Sequence, residues 1–350
     1  MPKHVLLQLD QAALQREGLH EAPEIWEDGL RAAPKPGNFE WWYFDAHFDD
    51  GSTAVVVFLT KSLLDRSSAL KPAVSITITR PDGKKLSSVA MIQPSEFSAS
   101  KERCYVRAGE SWVRGDLCNY ELHAKSGDLA AQLNFSGIVP AWRPGTGKIN
   151  FDESGKQYFA WLPSIPYGTV EGQIIYDGKM RQVRGTCYHD HNWGNVGLNQ
   201  VLSSWYWGRA HLGDYSLLFA EMYPTRQYDL QKIPIFMLAR GSQILSGEDA
   251  SFQLTEGDFI ADPGGRSYPD RLDVDWQKGA DHIHLKLREP RLIDSFSLLD
   301  MLPTWQRVVG RLVTNPYYFR FNASLDLQID QDGTHTRVQG DALYELMLLR

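Results

Sequence analysis

The sequence predicts an all-β protein built from two antiparallel β-barrel or β-sandwich domains. One observation is the density of short strand patterns, separated by Gly, Asp and Pro turns, after residue 36. The other is an aromatic strand motif that occurs twice in the chain. Strands at short spacing, without regular helical patterns between them, favour antiparallel sheets over an α/β fold.

Turn residues and side-chain alternation define the predicted elements in order. Residues 1–36 form a helical or irregular lead-in. Ala73–Thr79 alternates and precedes the turn Pro81-Asp82-Gly83, and Asp177-Gly178 is a strong hairpin signal. Residues 294–310 are a candidate helix. The remaining predicted strands are residues 55–59, 105–107, 118–124, 130–135, 173–176, 235–238, 282–287, 318–329 and 336–349.

The internal repeat predicts how these strands divide. Residues 41–48 (WWYFDAHF) align without a gap with residues 205–212 (WYWGRAHL), and each copy is followed by a turn and a second apolar strand. Similarity at such a long spacing indicates two copies of one domain, with chance similarity of two aromatic strands as the alternative. The predicted domains are therefore residues 37–200 and 201–350.

Composition excludes several classes of function. The formal net charge of −7 argues against a nucleic-acid partner. No apolar run is long enough to span a bilayer, and membrane contact is allowed but not required. The lack of an apolar leader and the odd number of cysteines, 3, predict a cytoplasmic protein. Because no phosphate loop, nucleophile elbow or metal-type cysteine pair is present, we expect no cofactor and no metal.

The segment Tyr188–Gly194 (YHDHNWG) is the first candidate for chemistry. On a strand, His189, His191 and Trp193 share one face, and Asp190 shares the other face with Tyr188 and Asn192. Three interpretations are open: a catalytic group that includes His191, Trp193 and Asp190, a metal site completed by another histidine, or a hydrogen-bonded cluster that closes one barrel end.

Glu221 is the second candidate, because it stands among apolar residues in LLFAEMY. A carboxyl group in an apolar setting is expected to keep its proton near neutral pH and to act as a proton donor. The alternative is a rim carboxylate that is paired with Arg209 or another base.

Aromatic residues are the third feature, since Trp, Tyr and Phe make up 12% of the chain. Strand alternation places Trp41 with Tyr43, and Trp205 with Trp207, on shared faces. Such rings stabilise a carbocation or shape a cavity for an apolar ligand, although core packing is their more common use. We therefore expect these four rings, together with Phe219, to contact a hydrophobic small-molecule substrate.

The segments GNFEWWYFDAHFDDG (37–51), YHDHNWG (188–194) and WYWGRAHL (205–212) resemble the carotenoid 1,2-hydratase (hydroxyneurosporene synthase) family. That family belongs to the AttH-like, double-lipocalin set, which also contains kievitone-hydratase-like proteins and fungal Diels–Alderases. The resemblance covers most of residues 37–223. It implies two lipocalin-like domains, and it is a poorer guide to the reaction, because one fold hosts several chemistries.

The resemblance also implies roles for individual residues. Phe219-Ala220-Glu221 looks like the Tyr-x-Asp element whose acidic residue is thought to protonate the alkene in carotenoid hydratases. This chain departs from that element in having Phe without a hydroxyl and Glu in place of Asp.

The predicted function is cofactor-independent chemistry on an apolar polyene, isoprenoid or polyketide. The first choice is hydration or acid-initiated isomerisation of a C=C bond, with Glu221 as acid, His191 positioning water and Trp193 shielding the cation. Alternatives are a cyclase of the Diels–Alderase kind in natural-product biosynthesis, and a non-catalytic carrier of a hydrophobic ligand.

Overall fold

The computed structural model describes residues 4–63, 65–229, 231–246, 250–262, 265–297 and 316–349. Contacts divide the chain into two compact units, an N-terminal unit from Leu6 to Gly197 and a C-terminal unit that begins at Leu198. The lead-in from residue 6 onward therefore belongs to the N-terminal unit. The predicted domain limits at residues 37 and 200 stay predictions.

The N-terminal unit is a curled antiparallel sheet with a helical lead-in. Helix α1 spans Gln11–Glu17, and 3-10 turns span Ile25–Asp28 and Pro94–Glu96. The strands are β1 (Leu6–Leu7), β2 (Phe39–Phe48), β3 (Thr53–Leu59), β4 (Ala73–Thr79), β5 (Lys85–Met91), β6 (Phe97–Ala99), β7 (Tyr105–Ala108), β8 (Ser111–Gly115), β9 (Asn119–Ser126), β10 (Leu129–Gly137), β11 (Lys148–Asn150), β12 (Tyr158–Tyr176) and β13 (Lys179–Gly194). Their order is β5-β4-β3-β2-β13-β12-β10-β9-β8-β7-β6, with β11 on β12 and β1 on β11.

The C-terminal unit is a second curled antiparallel sheet. Helix α2 spans Leu198–Val201, and a 3-10 turn spans Arg226–Tyr228. The strands are β14 (Leu202–Leu212), β15 (Tyr215–Pro224), β16 (Ile233–Arg240), β17 (Gln243–Ile244), β18 (Ser251–Glu256), β19 (Phe259–Ala261), β20 (Ser267–Pro269), β21 (Arg271–Lys278), β22 (Asp281–Ser297), β23 (Tyr317–Gln331) and β24 (Thr334–Leu348). The sheet order is β17-β16-β15-β14-β24-β23-β22-β21-β18, and β19 pairs with β20 as a separate hairpin.

Alternation of side chains builds one core inside each sheet. In β3 every second residue (Ala54, Val56, Phe58) is buried, as a period of two requires. The sheets curl so that β4 contacts β9 and β10 in one unit, and β16 contacts β18 in the other. Each curl encloses its own cluster of apolar side chains. The predicted fold, two lipocalin-like antiparallel β structures, is confirmed.

The two copies of the aromatic motif occupy corresponding positions. Strand β2 pairs with β3 and with β13, the last strand of its unit, and β14 pairs with β15 and with β24, the last strand of the other. The second aromatic residue of each motif, Trp42 or Tyr206, lies in the core of its own unit. The motif is thus a central strand in both sheets.

The predicted helix over residues 294–310 is wrong where the structure describes it. Residues Asp294–Ser297 form the end of β22, and residues 298–310 lie outside the described residues. β22 continues past two register shifts and keeps pairing with β23, with Ser295 opposite Phe319. Backbone pairing with an existing neighbour overrides a weak helical pattern. In the described part of the chain, no helix has the length and hydrophobicity to cross a membrane.

Candidate functional site

Strand β13 carries polar side chains on both of its faces. His189 and His191 point to the inner face, which holds the core of the unit, where they stack on Phe44 and Trp42 of β2. Asp190 lies on the opposite, outer face. The alternation predicted for Tyr188–Gly194 is therefore observed, and it separates the predicted catalytic residues into two different environments.

On the inner face, His191 lies between two carboxylates. Its Nε2 is 2.7 Å from Glu40 Oε1, and its Nδ1 is 3.3 Å from Asp28 Oδ1. His189 Nε2 lies 3.3 Å from Asp28 Oδ2. All four side chains are buried, so the ion pairs are shielded from water.

The charges of this inner cluster stabilise each other. Burial alone lowers the pKa of His191, but Asp28 and Glu40 outweigh it and raise the pKa from 6.5 to about 9. Burial raises the pKa of Asp28, and the adjacent histidines outweigh it, so that this pKa lies well below its usual range. At neutral pH the cluster therefore contains an imidazolium ion and ionised Asp28.

Backbone groups and rings complete the inner cluster. The backbone N–H groups of Arg31 and Ala32 each donate to Glu40 at 2.7 Å. The Trp42 ring is stacked on His191 with centroids 4.7 Å apart, and the Trp193 ring approaches His191 at the same distance. This arrangement fits the predicted alternative of a polar cluster that closes one end of the sheet. The water-positioning role predicted for His191 stays a prediction that its burial and its ion pairs with Asp28 and Glu40 do not support.

Asp28, Cys104 and His189 are the buried residues of this cluster that could hold a metal, since their ligand atoms lie within 4.8 Å of one another. Burial and the Asp28 carboxylate keep the pKa of the Cys104 thiol well above its ordinary value. His189 Nδ1 is 2.9 Å from the Tyr43 carbonyl oxygen, and Tyr120 donates to Asp28 at 2.5 Å. Tyr120 and His189 thus both contact Asp28 Oδ2, and both ring nitrogens of His189 have partners.

On the outer face, three donors converge on Asp190. Tyr188 Oη donates to Asp190 Oδ2 at 2.7 Å, and Trp161 Nε1 donates to the same oxygen at 2.8 Å. Asn192 Nδ2 donates to Oδ1 at 2.7 Å. Burial raises the pKa of Asp190 above its ordinary value although these donors and His189 act in the opposite direction. The exposed fraction of the whole residue is 8%, so Asp190 is buried.

Aromatic side chains surround Asp190 on this face. In the β2–β13 register Asp190 is opposite Tyr43, and Asn192 is opposite Trp41. Both rings are partly exposed, and Trp41 also stacks with Phe159 at 6.1 Å. An acid of raised pKa beside accessible rings is an arrangement suited to protonating an apolar substrate.

A small apolar pocket lies elsewhere in the N-terminal unit. It has a volume of about 190 Å³, and Leu30, Phe39, Leu70 and Phe97 are among the residues that line it. Small-molecule sites commonly measure about 300–1,000 Å³. The pocket is therefore too small for a whole polyene.

Glu221 has a different setting from the apolar one that the sequence predicted. Its carboxylate is buried, but Lys232 Nζ donates to Oε2 at 3.1 Å. This contact corresponds to the ion-pair alternative, with Lys232 in place of Arg209. Glu221 belongs to the C-terminal unit, whereas His191 and Asp190 belong to the N-terminal one.

The other predicted substrate contacts lie in the C-terminal unit. Trp205 and Trp207 are partly exposed and alternate with Tyr206, which is in the core. Phe219 is fully buried beside Gly208, where an added Cβ would come within 2.4 Å of the Phe219 ring. Substrate contact by Phe219 stays a prediction that this core position does not support.

Sequence reasoning missed Asp28, Glu40 and Trp161. Asp28 contacts His189 of β13, which is 161 residues away in the sequence, and no local pattern marks Asp28. Glu40 had a usable signal, because it is the charged residue at the start of an aromatic strand. Trp161 could have been suggested only by its position on β12, the strand that neighbours β13.

The comparisons with known proteins agree with this fold and this motif. The family model "AttH-like" matches residues 32–292. The quinolone epoxide rearrangement protein of Penicillium thymicola is 23% identical in an alignment of 146 residues, and the match covers 35% of this chain and 39% of that protein. The acyclic carotenoid 1,2-hydratase of Rubrivivax gelatinosus is 23% identical in an alignment of 210 residues, and the match covers 55% of this chain and 49% of that protein.

A solved structure shows the same fold over nearly the whole chain. The AttH crystal structure from Nitrosomonas europaea superposes with a TM-score of 0.60 and 15% identity, covering 97% of this chain and 99% of that one. The matches to the curated relatives named above span less than half of those proteins' length. The fold is therefore shared, and the activity is a separate question.

Proposed function

The chain belongs to the AttH-like family, and from that premise we propose that it is an enzyme of apolar small molecules. It acts on C=C bonds of a polyene, isoprenoid or polyketide by hydration or acid-initiated isomerisation, without a cofactor. The hydratase and the epoxide rearrangement protein among its relatives support this proposal, because both named reactions are open to acid catalysis.

The observation that carries the proposal is the environment of Asp190. Burial raises its pKa, and three donors fix its carboxyl group in one orientation. A carboxylic acid that keeps its proton to higher pH is a better general acid near neutrality.

The proposed step begins with transfer of the Asp190 proton to one carbon of the double bond. The π electrons form the new C–H bond, and the adjacent carbon becomes a carbocation, which the faces of Trp41 and Tyr43 stabilise. In hydration, water adds to the cation and its proton returns to the Asp190 carboxylate. In isomerisation, the cation loses a neighbouring proton to the same carboxylate, so the acid is regenerated in both cases.

Asp190 replaces Glu221 as the acid in this proposal. Lys232 Nζ lies 3.1 Å from the Glu221 carboxylate, so Glu221 is already engaged in an ion pair. Glu221, Trp193 and His191 remain testable contributors, and we expect their effects to be smaller.

The experiment is turnover of an acyclic carotenoid by the purified protein in water enriched in oxygen-18. We expect a product heavier by one labelled water, or an isobaric isomer, from the unaltered protein. Asp190→Asn should remove most of the activity and Glu221→Gln should keep most of it. Full activity of Asp190→Asn would overturn the assignment of the acid.

Two other outcomes identify the alternatives. A cyclised product of unchanged mass indicates a cyclase of the Diels–Alderase kind if its rate of formation is independent of pH and is retained in Asp190→Asn. Such a cyclase needs a cavity that folds the substrate and a hydrogen-bond donor, but no acid. The same assay is repeated with a polyketide polyene. Tight binding of either compound, followed by its recovery without chemical change, indicates a carrier.

A further inference from the structure

The hairpin formed by β21 and β22 carries two histidines and an aspartate on its outward face. His282 and His284 are two residues apart on β22, and His284 is directly opposite Asp275 of β21. Alternation of buried Ile283 and Leu285 with the histidines turns both imidazoles away from the core.

Both imidazoles converge on one carboxylate oxygen. His282 Nε2 is 3.0 Å, and His284 Nδ1 is 2.6 Å, from Asp275 Oδ1. The ligand atoms of the three side chains all lie within 4.8 Å of one another. Metal–ligand bonds of about 2.0–2.2 Å place neighbouring donors roughly 3 Å apart, which is close to this spacing.

We propose that Asp275, His282 and His284 form a binding site for a divalent first-row transition metal ion such as Zn²⁺. Two imidazoles and one carboxylate on one side of an ion leave further positions open for water, and imidazole nitrogen is a preferred ligand of Zn, Cu, Ni and Fe. The ion takes the space between the two ring nitrogens and Asp275 Oδ1, and each histidine binds it as a neutral imidazole that carries its proton on the other ring nitrogen.

A second carboxylate lies near the triad. The second nitrogen of His284, Nε2, faces Asp273 Oδ1 at 3.9 Å, and Arg288 donates to Asp273 at 2.7 Å. A metal-bound histidine commonly has a carboxylate near its other nitrogen, which fixes the ring and its tautomer. This outer carboxylate is an observation separate from the triad itself.

The site is also reachable, unlike the buried group at Asp28. The side chains of His282 and Asp275 are 42% and 40% exposed, and that of His284 is 19% exposed. An ion can therefore enter from solvent and keep water ligands. Because the three ligands stand on paired strands, little backbone ordering opposes binding.

The test is titration of the untagged, chelator-treated full chain with ZnCl₂ by calorimetry, and with CoCl₂ by visible absorption. We expect one ion per chain, bound in the micromolar range or tighter, with a Co²⁺ absorption band that Zn²⁺ removes. Asp275→Asn and His284→Gln should each weaken binding about tenfold or more, the size of effect typical at metal sites. His20→Ala, which changes a histidine side chain that is 77% exposed, is the matched control and should bind as the parent does.

Binding that Asp275→Asn and His284→Gln both retain would place the ion elsewhere and overturn the proposal, as would no binding by the parent. Asp275→Asn is a near-isosteric change at a partly exposed position, so we expect it to fold, and thermal melting without metal checks this. The readouts do not depend on turnover, so the result stands apart from the proposed C=C chemistry.

Discussion

At the scale of single residues, the two faces of β13 shift the pKa values of two carboxyl groups in opposite directions. Asp28 and Asp190 are both buried carboxyl groups near histidine. Burial raises the pKa of both groups, but His189 and His191 outweigh it at Asp28, whereas the mainly neutral donors at Asp190 do not, and its pKa rises. The difference in pKa follows from the face of β13 at which each carboxyl group lies: Asp28 meets the imidazoles of the inner face, and Asp190 meets the neutral donors of the outer face.

The first prediction concerns turnover and pH. A general acid must be protonated, so kcat/KM should fall as pH rises through the Asp190 pKa, which lies above the ordinary value of 3.8. Asp190→Asn should lower kcat/KM by about 100-fold, the usual size of an acid–base contribution, and remove this limb of the profile. Steady-state kinetics across the pH range measures both.

The matched control for this substitution is Asp49→Asn. Asp49 is 65% exposed and pairs with Arg184 at the surface, so we expect its rate to stay within about twofold of the parent. An equal decrease of kcat/KM in Asp190→Asn and Asp49→Asn would contradict a specific role for Asp190.

At the scale of elements, a buried ion pair holds the lead-in against the rest of the N-terminal unit. Glu27, on the 3-10 turn Ile25–Asp28, receives a hydrogen bond from Arg143 Nε at 2.6 Å, and both side chains are buried. Arg143 also donates to the His20 carbonyl oxygen at 2.6 Å. The turn is thus held by partners more than 100 residues away, since Glu27 and Arg143 are 116 residues apart.

The second prediction follows from this contact. Glu27→Gln leaves the Arg143 guanidinium buried without its counter-charge, which should lower the free energy of unfolding by about 3 kcal/mol. Glu121→Gln removes a surface pair with Arg114 and should change it by less than about 1 kcal/mol. Urea denaturation followed by Trp fluorescence compares them, and similar midpoints for the two variants would show that burial of the Glu27 pair does not matter.

Elements with local signals were predictable from the sequence, and elements held by distant partners were not. Ala73–Thr79 alternates over its whole length and is a strand with those bounds, and Asp177-Gly178 forms the turn between β12 and β13. The local pattern predicts a helix at the end of β22, because the pairing of this segment with Tyr317–Phe319 is not visible locally. For the same reason the histidines were found in the sequence but Asp28, their counter-ion, was not.

At the scale of the whole molecule, two curled sheets repeat one strand plan. The face opposite each core carries the partly exposed motif rings, Trp41 and Tyr43 in one unit and Trp205 and Trp207 in the other. Alternation in the duplicated motif predicted these shared faces. The sequence does not show which cation pairs with the buried carboxylate of Glu221. Lys232 precedes β16, the strand that pairs with β15, and reaches Glu221 from there.

The third prediction is a pH dependence of global stability. The pKa of His191 is raised from 6.5 to about 9 in the folded chain, so its stabilising contribution is complete below pH 6.5 and is lost as pH rises through 9. The linked loss is roughly 3 kcal/mol. His191→Gln should be less stable at low pH and should lack this loss, whereas His123→Gln, on β9, should behave as the parent does. Denaturation midpoints that change equally with pH in the parent and in His191→Gln would contradict a charged His191.

The central claim is that Asp190 is a carboxylic acid whose proton is held by a dry environment, and carbon-13 NMR of labelled aspartate side chains tests it most directly. The carboxyl resonance, assigned by its absence in Asp190→Asn, should titrate with a pKa above the ordinary aspartate value of 3.8. A resonance that titrates at or below that value would contradict the account and leave Asp190 without a catalytic proton near neutral pH.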